Sequence, residues 1–295
     1  MKSTKNVCRT IITLGTLALF LNACGPQQNQ TPYQSSAPDA SATNNIIGGT
    51  VVSSADVISK TTVALIIIDS SNPLQVSQGT CTGTLLSQNL ILTAAHCIPA
   101  RGAIIAAFAS NWQEVTSPTH PKARRVTAVE VHPEAFLNAQ RGLDKDFADL
   151  AILKFEGTLP AGYRTVQLLP PSRSLRNGNQ VTLAGYGVTD GKTGNSDNFL
   201  RKTTVTVANP RFSATEVLMD ETKGRSSCNG DSGGPAFTAV NGVQMQFGVL
   251  SRGYNDPTQE CKGFSVYTNI NAHLPWINST KQKLLAVATT ALASK

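Results

Sequence analysis

The sequence has few charged residues and no dense run of basic ones. Only 15% of its 295 residues are charged, and the formal net charge of +7 falls to +4 without the three basic residues nearest the N-terminus. A charge so low and so dispersed argues against binding to nucleic acid. Scarce charge, 40% apolar residues and frequent glycine instead favour a β-rich exported protein over a helical or disordered one.

The apolar run near the N-terminus is too short to anchor the chain in a bilayer. It covers Ile11 to Leu21 and follows basic residues, which predicts a signal peptide over residues 1–23. Its end, Leu21-Asn22-Ala23-Cys24, resembles the bacterial lipobox. The resemblance implies cleavage before Cys24 and diacylglycerol on its thiol, hence a lipoprotein at the outer membrane or cell surface. Because Asn22 is unusual in that box, ordinary cleavage after Ala23 and secretion remain the alternative.

Residues 24–45 almost lack apolar side chains and are rich in Pro, Gln, Ser, Ala and Asn. Such a segment cannot bury enough surface to fold, so it predicts a flexible tether or pro-segment. The chain beyond it consists of short β-prone runs separated by turn residues, which indicates an all-β sandwich or barrel without choosing between them. These runs are Val63–Ile68, Gly83–Leu86, Leu90–Thr93, Ile104–Phe108, Arg125–Val131, Leu150–Phe155, Gln180–Ala184, Leu200–Val207, Pro235–Thr238, Gln244–Leu250 and Gly263–Thr268.

The segment Cys228–Pro235, with the sequence Cys-Asn-Gly-Asp-Ser-Gly-Gly-Pro, has the features that a nucleophilic serine needs. A serine hydroxyl requires a nearby base and donors for the oxyanion that its attack creates. Gly230 and Gly233 flank Ser232 and allow the backbone to turn sharply and present its N–H groups. Taken alone, a Gly-Asp-Ser-Gly run could also be an ordinary turn.

Two segments upstream offer the partners of such a serine. His96 follows an apolar strand and precedes a cysteine, whereas His120, His132 and His273 read as structural or surface residues. Two aspartates compete downstream. Asp149 opens an alternating apolar strand and Asp146 does not, so we expect Asp149 to orient the histidine and Asp146 to be a solvated loop residue.

These three segments, in the order His, Asp, Ser, resemble the motifs of the chymotrypsin-like serine proteases from Ile46 to about Asn278. The resemblance implies two six-stranded antiparallel β-barrels with the active site between them and a closing C-terminal helix. It implies a peptidase domain over residues 46–278, beyond which residues 279–295 prolong the helix. It also implies a secreted serine endopeptidase in which His96, Asp149 and Ser232 form the triad and the Gly230 and Ser232 N–H groups form the oxyanion hole.

The same resemblance implies a zymogen. Ile46-Ile47-Gly48-Gly49-Thr50 is similar to the N-terminus that cleavage exposes in this family, so the amine of Ile46 is expected to pair with Asp231. The preceding residue is Asn45, where trypsin-like activators would need Lys or Arg. Activation by such an enzyme is therefore not expected.

Four cysteines remain besides Cys8 and Cys24, and four allow three pairings. The resemblance implies the disulfides Cys81–Cys97 and Cys228–Cys261. A zinc site is the alternative for grouped Cys and His, but the sequence contains no Cys-x2-Cys pair. We expect no metal and no cofactor.

The resemblance assigns four residues to the substrate pocket, namely Ser226, Ser251, Gly253 and Ser265. Ser226 stands where trypsin-like members carry an aspartate, and Gly253 is expected to keep the entrance open while Ser265 narrows the base. With Asp256 and Glu260 read as surface residues, no acid lines this pocket. Cleavage is therefore expected after uncharged medium-to-large residues and not after Lys or Arg.

Two neighbouring features complete the expected site. Gly185-Tyr186-Gly187 resembles the family's Gly-Trp-Gly. Arg252 replaces an aromatic residue beside the next subsite and is expected to favour an acidic or polar residue there.

The expected partners are protein or peptide substrates and protein inhibitors, with membrane contact only through a lipid on Cys24. The alternative function is a catalytically silent, protease-fold binding or adhesive protein on the cell surface.

Overall fold

The computed structural model describes residues 46–72 and 74–293, with side chains given through residue 286. The predicted leader, Cys24 and the tether lie outside these residues. The described chain forms two closed six-stranded antiparallel β-barrels followed by a C-terminal helix. The expected all-β chymotrypsin-like fold is confirmed, and the barrel is the correct alternative to the sandwich.

The first barrel is built from β2 to β7 and closes where β2 pairs with β5. Neighbouring strands around it follow the order β2-β3-β4-β7-β6-β5. The strands are β2 (Thr62–Asn72), β3 (Gln75–Leu85), β4 (Leu90–Thr93), β5 (Gly102–Ala107), β6 (Ala123–Val131) and β7 (Ala151–Phe155).

The second barrel follows the order β9-β10-β11-β14-β13-β12 and closes where β12 pairs with β9. Its strands are β9 (Gln180–Gly185), β10 (Arg201–Asn209), β11 (Glu216–Asp220), β12 (Pro235–Val240), β13 (Val243–Tyr254) and β14 (Phe264–Asn269). Two short strands attach to it, β1 (Thr50–Val51) on β10 and β8 (Gln167–Leu168) on β13.

Side chains along a strand alternate between buried and exposed when only one face of the strand is covered, and they are all buried when both faces are covered. In β10 every second side chain points inward, which is the period that the pleat of a strand imposes. In β7 the run Ala-Ile-Leu-Lys-Phe is buried almost throughout because both faces are covered. Separate clusters of buried side chains fill the first barrel, the second barrel and the space between them.

The sequence gives no strand prediction for β11, which has an acidic residue at each end. Glu216 opens the strand yet is 1% exposed, because its carboxylate faces the guanidinium of Arg252 on β13 at 2.7 Å. A charge can be buried in a strand when a partner of opposite sign is buried with it. That partner lies on a distant part of the chain and could not be read from local pattern.

Three helices complete the fold: α1 (Ile58–Thr61), α2 (Leu137–Gln140) and α3 (Leu274–Ala293). Helix α3 continues without a break past residue 278, and its buried Ile277 and Leu284 belong to the cluster that fills the first barrel. Their spacing of seven places them on one helix face. None of the described helices is long and apolar enough to cross a membrane.

Candidate active site

His96 and Asp149 come together because their strands are neighbours. His96 lies in a 3₁₀ turn, Ala95–Cys97, directly after β4, and Asp149 lies just before β7, which pairs antiparallel with β4. Asp149 therefore accepts two hydrogen bonds from the same residue, from the His96 N–H at 3.0 Å and from the His96 ring Nδ1 at 2.7 Å. Backbone and side chain of His96 are both held by one carboxylate.

The carboxylate of Asp149 is fully enclosed. It is 0% exposed and accepts a third hydrogen bond, at 2.8 Å, from the hydroxyl of Ser251. Since a carboxylate only accepts, Nδ1 of His96 carries its proton and Nε2 is left with a free lone pair. Ser251 was expected only in the pocket wall; it also contacts the cavity, but its hydroxyl is engaged with Asp149.

Ser232 lies in the turn between β11 and β12 and faces the same cavity as His96. Its carbonyl accepts from the Thr82 N–H at 2.8 Å, which fixes the turn of the second barrel to a strand of the first. Gly233 has a φ of +77°, and a Cβ there would lie 2.1 Å from the Thr93 hydroxyl oxygen. Only glycine fits this conformation and this close approach.

Some of the backbone N–H groups around Ser232 donate hydrogen bonds and others do not. Those of Asp231, Gly233 and Gly234 donate to carbonyl groups at 2.8–3.0 Å, whereas those of Gly230 and Ser232 donate to no other described residue. Gly230 has a φ of +95°, and its carbonyl accepts from the Thr82 hydroxyl at 2.9 Å. Two unpaired donors beside a candidate nucleophile have the composition of an oxyanion hole.

Asp231 is buried without a cationic partner among the described residues. Its carboxylate accepts from the N–H groups of Cys228 at 2.9 Å and Gly187 at 2.8 Å. Burial raises its pKa to about 7, against the opposing effect of these hydrogen bonds. A Cβ on Gly185 would lie 2.2 Å from this carboxylate, and one on Gly187 2.4 Å, so the glycines of the Gly-Tyr-Gly segment make room for it.

Ile46, the first described residue, lies in the core. Ile46 is 1% exposed, and the carbonyl of Ile47 accepts from the Ser226 N–H at 2.9 Å. The expected pairing of the Ile46 amine with Asp231 requires cleavage before Ile46. In the uncut chain the nitrogen of Ile46 belongs to a peptide bond and carries no charge.

Asp146 is not a solvated loop residue, which corrects the sequence expectation. It accepts from the Ser213 hydroxyl at 2.6 Å and from both the N–H and the hydroxyl of Thr215, at 2.8 and 2.6 Å. Burial alone would raise its pKa, but these bonds and the nearby Arg252 hold the pKa below its usual value. Asp146 thus ties the loop before Asp149 to the start of β11.

Arg252 is not a free cation beside a subsite, which corrects a second expectation. Its guanidinium binds both carboxylate oxygens of Glu216, at 2.7 and 3.1 Å, and donates to the Asp144 carbonyl at 2.7 Å. It also stacks over the Phe147 ring, 4.0 Å from the centroid. Its charge is compensated inside the protein, so attraction of an acidic substrate residue has no support.

The cavity that His96 and Ser232 share has a volume of about 600 Å³ and contains an acid that the sequence did not reveal. Glu221 lines it, and its carboxyl accepts from the Ser227 N–H at 3.1 Å, the Ser227 hydroxyl at 3.0 Å and the Ser265 hydroxyl at 2.6 Å. The statement that no acid lines the pocket is therefore wrong. In the sequence Glu221 sits in the charged run Asp-Glu-Thr-Lys, which is typical of a surface loop and gives no signal of a pocket.

Three of the four expected pocket residues line the cavity and one does not. Ser251, Gly253 and Ser265 line the cavity, and Gly253 has open space where a Cβ would project. Ser226 does not line it; it is 1% exposed and its hydroxyl donates to the Cys261 carbonyl at 2.5 Å. Asp256 lines the cavity too, and its carboxylate accepts from the N–H and hydroxyl of Thr258 in its own turn.

Cys81–Cys97 and Cys228–Cys261 are disulfide bonds, the pairing that the resemblance implied. Ligand atoms of Cys81, Cys97 and His96 lie within 4.8 Å of one another. Zinc binds cysteine as thiolate, and sulfurs joined to each other are not thiolates, so this group does not support the zinc alternative.

Comparison with known proteins finds the same resemblance along most of the chain. The sequence profile of the trypsin family matches residues 29–277. A chymotrypsin from Phaedon cochleariae is 28% identical over 218 residues, which are 68% of this chain and 71% of that protein. A venom protease from Bombus pensylvanicus is 28% identical over 226 residues, 72% of this chain and 90% of that protein. Human kallikrein-10 is 28% identical over 214 residues, 67% of this chain and 72% of that protein.

Proposed function

Because the chain belongs to the trypsin family and is a serine endopeptidase, we propose that Ser232, His96 and Asp149 are its catalytic triad. The observation that carries the proposal is the hydrogen bond of 2.7 Å between His96 Nδ1 and a fully buried Asp149, which leaves Nε2 free in a histidine that lines the same cavity as Ser232. In this mechanism His96 accepts the hydroxyl proton as Ser232 attacks the scissile carbonyl. It then donates the proton to the leaving amine, and water hydrolyses the acyl-enzyme.

The oxyanion of each tetrahedral intermediate would be bound by the N–H groups of Gly230 and Ser232. Both are unpaired among the described residues, and the turn that carries them is fixed by Thr82 through two hydrogen bonds. Donors held in place before the reaction need no reorganisation when charge develops, and loss of one such donor typically costs about 10²–10³ in rate.

Asp149 has the role of a positioning group as well as an electrostatic one. With its second and third hydrogen bonds, from the His96 N–H and the Ser251 hydroxyl, it holds the imidazole in a single orientation. Ser251 thereby supports the triad, in addition to contacting the cavity.

Because a zymogen is expected to be inactive until it is cut, the test of the triad is covalent labelling with a fluorophosphonate after the purified protein has been cleaved before Ile46. We expect the wild type to be labelled at Ser232 and to hydrolyse peptide amides, and Ser232→Ala to lose both while its circular dichroism is unchanged. His96→Ala should lose labelling about as completely, because triad residues act as a unit. Labelling that persists in Ser232→Ala would refute this nucleophile. A folded wild type that has been cleaved before Ile46 and is still never labelled would favour the catalytically silent binding or adhesive protein.

The proposed enzyme is a zymogen. Asp231 is buried with only two N–H partners, and a new amine at Ile46, which is itself buried and whose neighbour Ile47 pairs with Ser226, would supply the missing cation. The activating protease would have to accept Asn45, so a trypsin-like activator is not proposed.

The expected preference for uncharged substrates is not carried forward, because its premise was a pocket without an acid. Glu221 lines the cavity and Ser226 does not. We therefore infer which substrate residue the site prefers from the side chains that line the cavity.

The protein is proposed to be exported, with residues 1–23 as the leader and 24–45 as the tether, and to carry lipid on Cys24. Support comes from the lipobox-like sequence alone, and Cys24 lies outside the described residues. The alternative is release after cleavage behind Ala23. Phase separation in detergent tests the anchor: Cys24→Ser should move from the detergent to the aqueous phase, because acyl chains drive the partition. Equal recovery of both proteins in the detergent phase would exclude lipid on Cys24.

A further inference from the structure

Three buried polar side chains that are joined by hydrogen bonds line the active-site cavity, and we take them as its inner end. Glu221, Ser227 and Ser265 line it and are 3%, 7% and 1% exposed. Gly253, also in the lining, is exposed, so it marks the mouth. A substrate side chain that enters from the mouth would therefore meet a carboxyl group at its far end.

The chain supplies no cation to this carboxyl among the described residues. Its three hydrogen-bond partners are neutral, and the cation in the cavity lining, Arg252, is bound to Glu216 and Phe147. Ionised carboxylates are rarely buried without a partner because their desolvation is expensive. Burial accordingly raises the pKa of Glu221 to about 8, and the charge of Asp231 adds to this. Once ionised, this carboxyl has no cationic partner among the described residues, so a cationic ligand would find an unpaired charge.

We propose that Glu221 determines the specificity of the enzyme and selects a cationic side chain, Lys or Arg, on the acyl side of the cleaved bond. The inference rests on the proposed function, since Ser232 and His96 lie in the same cavity and define where the scissile bond sits. A cationic group at the inner end pairs with Glu221, while the Ser227 and Ser265 hydroxyls accept from its remaining N–H groups. The open space at Gly253 admits the long methylene stem that Lys and Arg share.

Asp256 is the rival acid, because it also lines the cavity. Its oxygens are already taken by the N–H and hydroxyl of Thr258 and by the N–H of Lys262. These bonds stabilise a turn near the mouth, next to exposed Asn255 and Gln259, instead of leaving a carboxylate free at the inner end. The geometry favours Glu221.

The test uses protein cleaved before Ile46 and peptide amides that differ only at the cleaved position, which is Lys, Arg, norleucine, Leu or Phe. Assays at about pH 9, above the pKa of Glu221, keep its carboxylate ionised. We expect kcat/KM for Lys and Arg to exceed that for norleucine by about 10²-fold, the typical effect of a buried charge pair. Glu221→Gln should remove most of this ratio, while Glu260→Gln, which lies outside the cavity lining, should keep it. A wild type that prefers Leu or Phe, a ratio that survives in Glu221→Gln, or a ratio lost in Asp256→Asn alone would each overturn the proposal.

A binding measurement separates this proposal from the proposed function and does not depend on turnover. Calorimetry of the wild type with benzylamine should show binding that the uncharged benzyl alcohol lacks, and Glu221→Gln should weaken benzylamine by at least about tenfold. Equal binding of the two probes to the wild type overturns the cation site, whether or not the variant folds. Fluorophosphonate titration of the same samples reports on Ser232 alone, so a failed triad and a failed cation site give different results.

Discussion

At the scale of single residues, buried carboxyl groups in this protein are stabilised in different ways. Glu216 has a bidentate arginine, Asp231 has two backbone N–H groups, and Glu221 has a backbone N–H and two serine hydroxyls. Only Glu216 is neutralised by another side chain. The pKa is raised to about 7 for Asp231 and about 8 for Glu221, chiefly by burial. Both of the others lack a cationic partner among the described residues, and their protonated forms are therefore favoured.

Removal of the cation from the Glu216 pair should be strongly destabilising. Arg252→Met leaves a carboxylate that is 0% exposed in its side chain without its partner, for which we expect a loss of about 3–5 kcal/mol in the free energy of unfolding. Urea titration in a Ser232→Ala background measures this without self-digestion. Arg252→Met combined with Glu216→Gln should recover part of the loss.

The matched control is Lys262→Met, whose partner Glu260 is one-quarter exposed while Lys262 itself is well exposed. A pair in contact with water is worth less than about 1 kcal/mol. If Arg252→Met cost no more than Lys262→Met, the Arg252–Glu216 pair would not be a structural element of this site.

At the scale of elements, two buried histidines join the segment after β6 to the start of α3. His273 Nδ1 lies 3.2 Å from His132 Nε2, and the His132 ring packs against Trp276 with centroids 4.8 Å apart. Burial lowers the pKa of both, and for His273 burial and the proximity of His132 together lower it to about 4. The contact requires neutral rings, so it links the docking of the helix to pH.

The histidine pair should make stability fall in mild acid. The folded pKa of His273 lies below its unfolded value of 6.5, so the unfolded chain binds the proton first. The stabilisation is complete above about pH 6.5 and is lost as pH falls toward 4, by about 3 kcal/mol. The free energy of unfolding, measured between these pH values, should fall less steeply in His273→Asn than in the wild type.

The control for this prediction is His120→Asn, which changes a histidine in a partly exposed turn. The carboxyls of Asp231 and Glu221 act in the opposite direction, since their raised pKa values favour the folded state as pH falls. The contribution of the His132–His273 pair is therefore obtained from the difference between variant and wild type in the pH dependence of the free energy of unfolding. Identical slopes for His273→Asn and wild type would show that the pair does not titrate on unfolding.

At the scale of the whole molecule, cleavage before Ile46 should change stability in a pH-dependent way. In the uncut chain the pKa of Asp231 is raised from 3.8 to about 7, so its charge reduces stability as pH rises through that interval. If the Ile46 amine reached Asp231, the charge of Asp231 would increase stability instead of reducing it, because pairing with a cation favours the ionised carboxylate. The cut protein should therefore have a higher melting temperature than the uncut one at pH 8, and the gain should shrink toward pH 5.

A defined cut can be made in Asn45→Arg, Ser232→Ala protein with trypsin, which leaves Ile46 as the new terminus. Asp231→Asn in the same background is the control and should gain nothing from the cut at pH 8. An equal gain with and without the Asp231 charge would contradict the pairing of Ile46 with Asp231.

The sequence by itself determined the all-β class and the principal candidates of the site, and its resemblance to a known family chose the two barrels. Short strands separated by Gly, Pro and Asn come from local chain preferences, which act within a few residues. The segments around His96, Asp149 and Ser232 could be recognised because the chemistry needs particular neighbours: glycines that turn the backbone beside Ser232, and an apolar strand beside each of the other two. These requirements are contiguous in the chain, so they are visible without a structure.

Only the tertiary structure decided the environment of the acids. Glu221 turns into the cavity, Asp146 binds the loop before β11, and Glu216 opens a strand because Arg252 lies 36 residues further along. Whether a carboxyl faces water or the interior depends on the direction of its strand and on partners brought there by barrel closure. The sequence looks the same in either case, so the packing of segments that are distant along the chain decided which acids line the cavity.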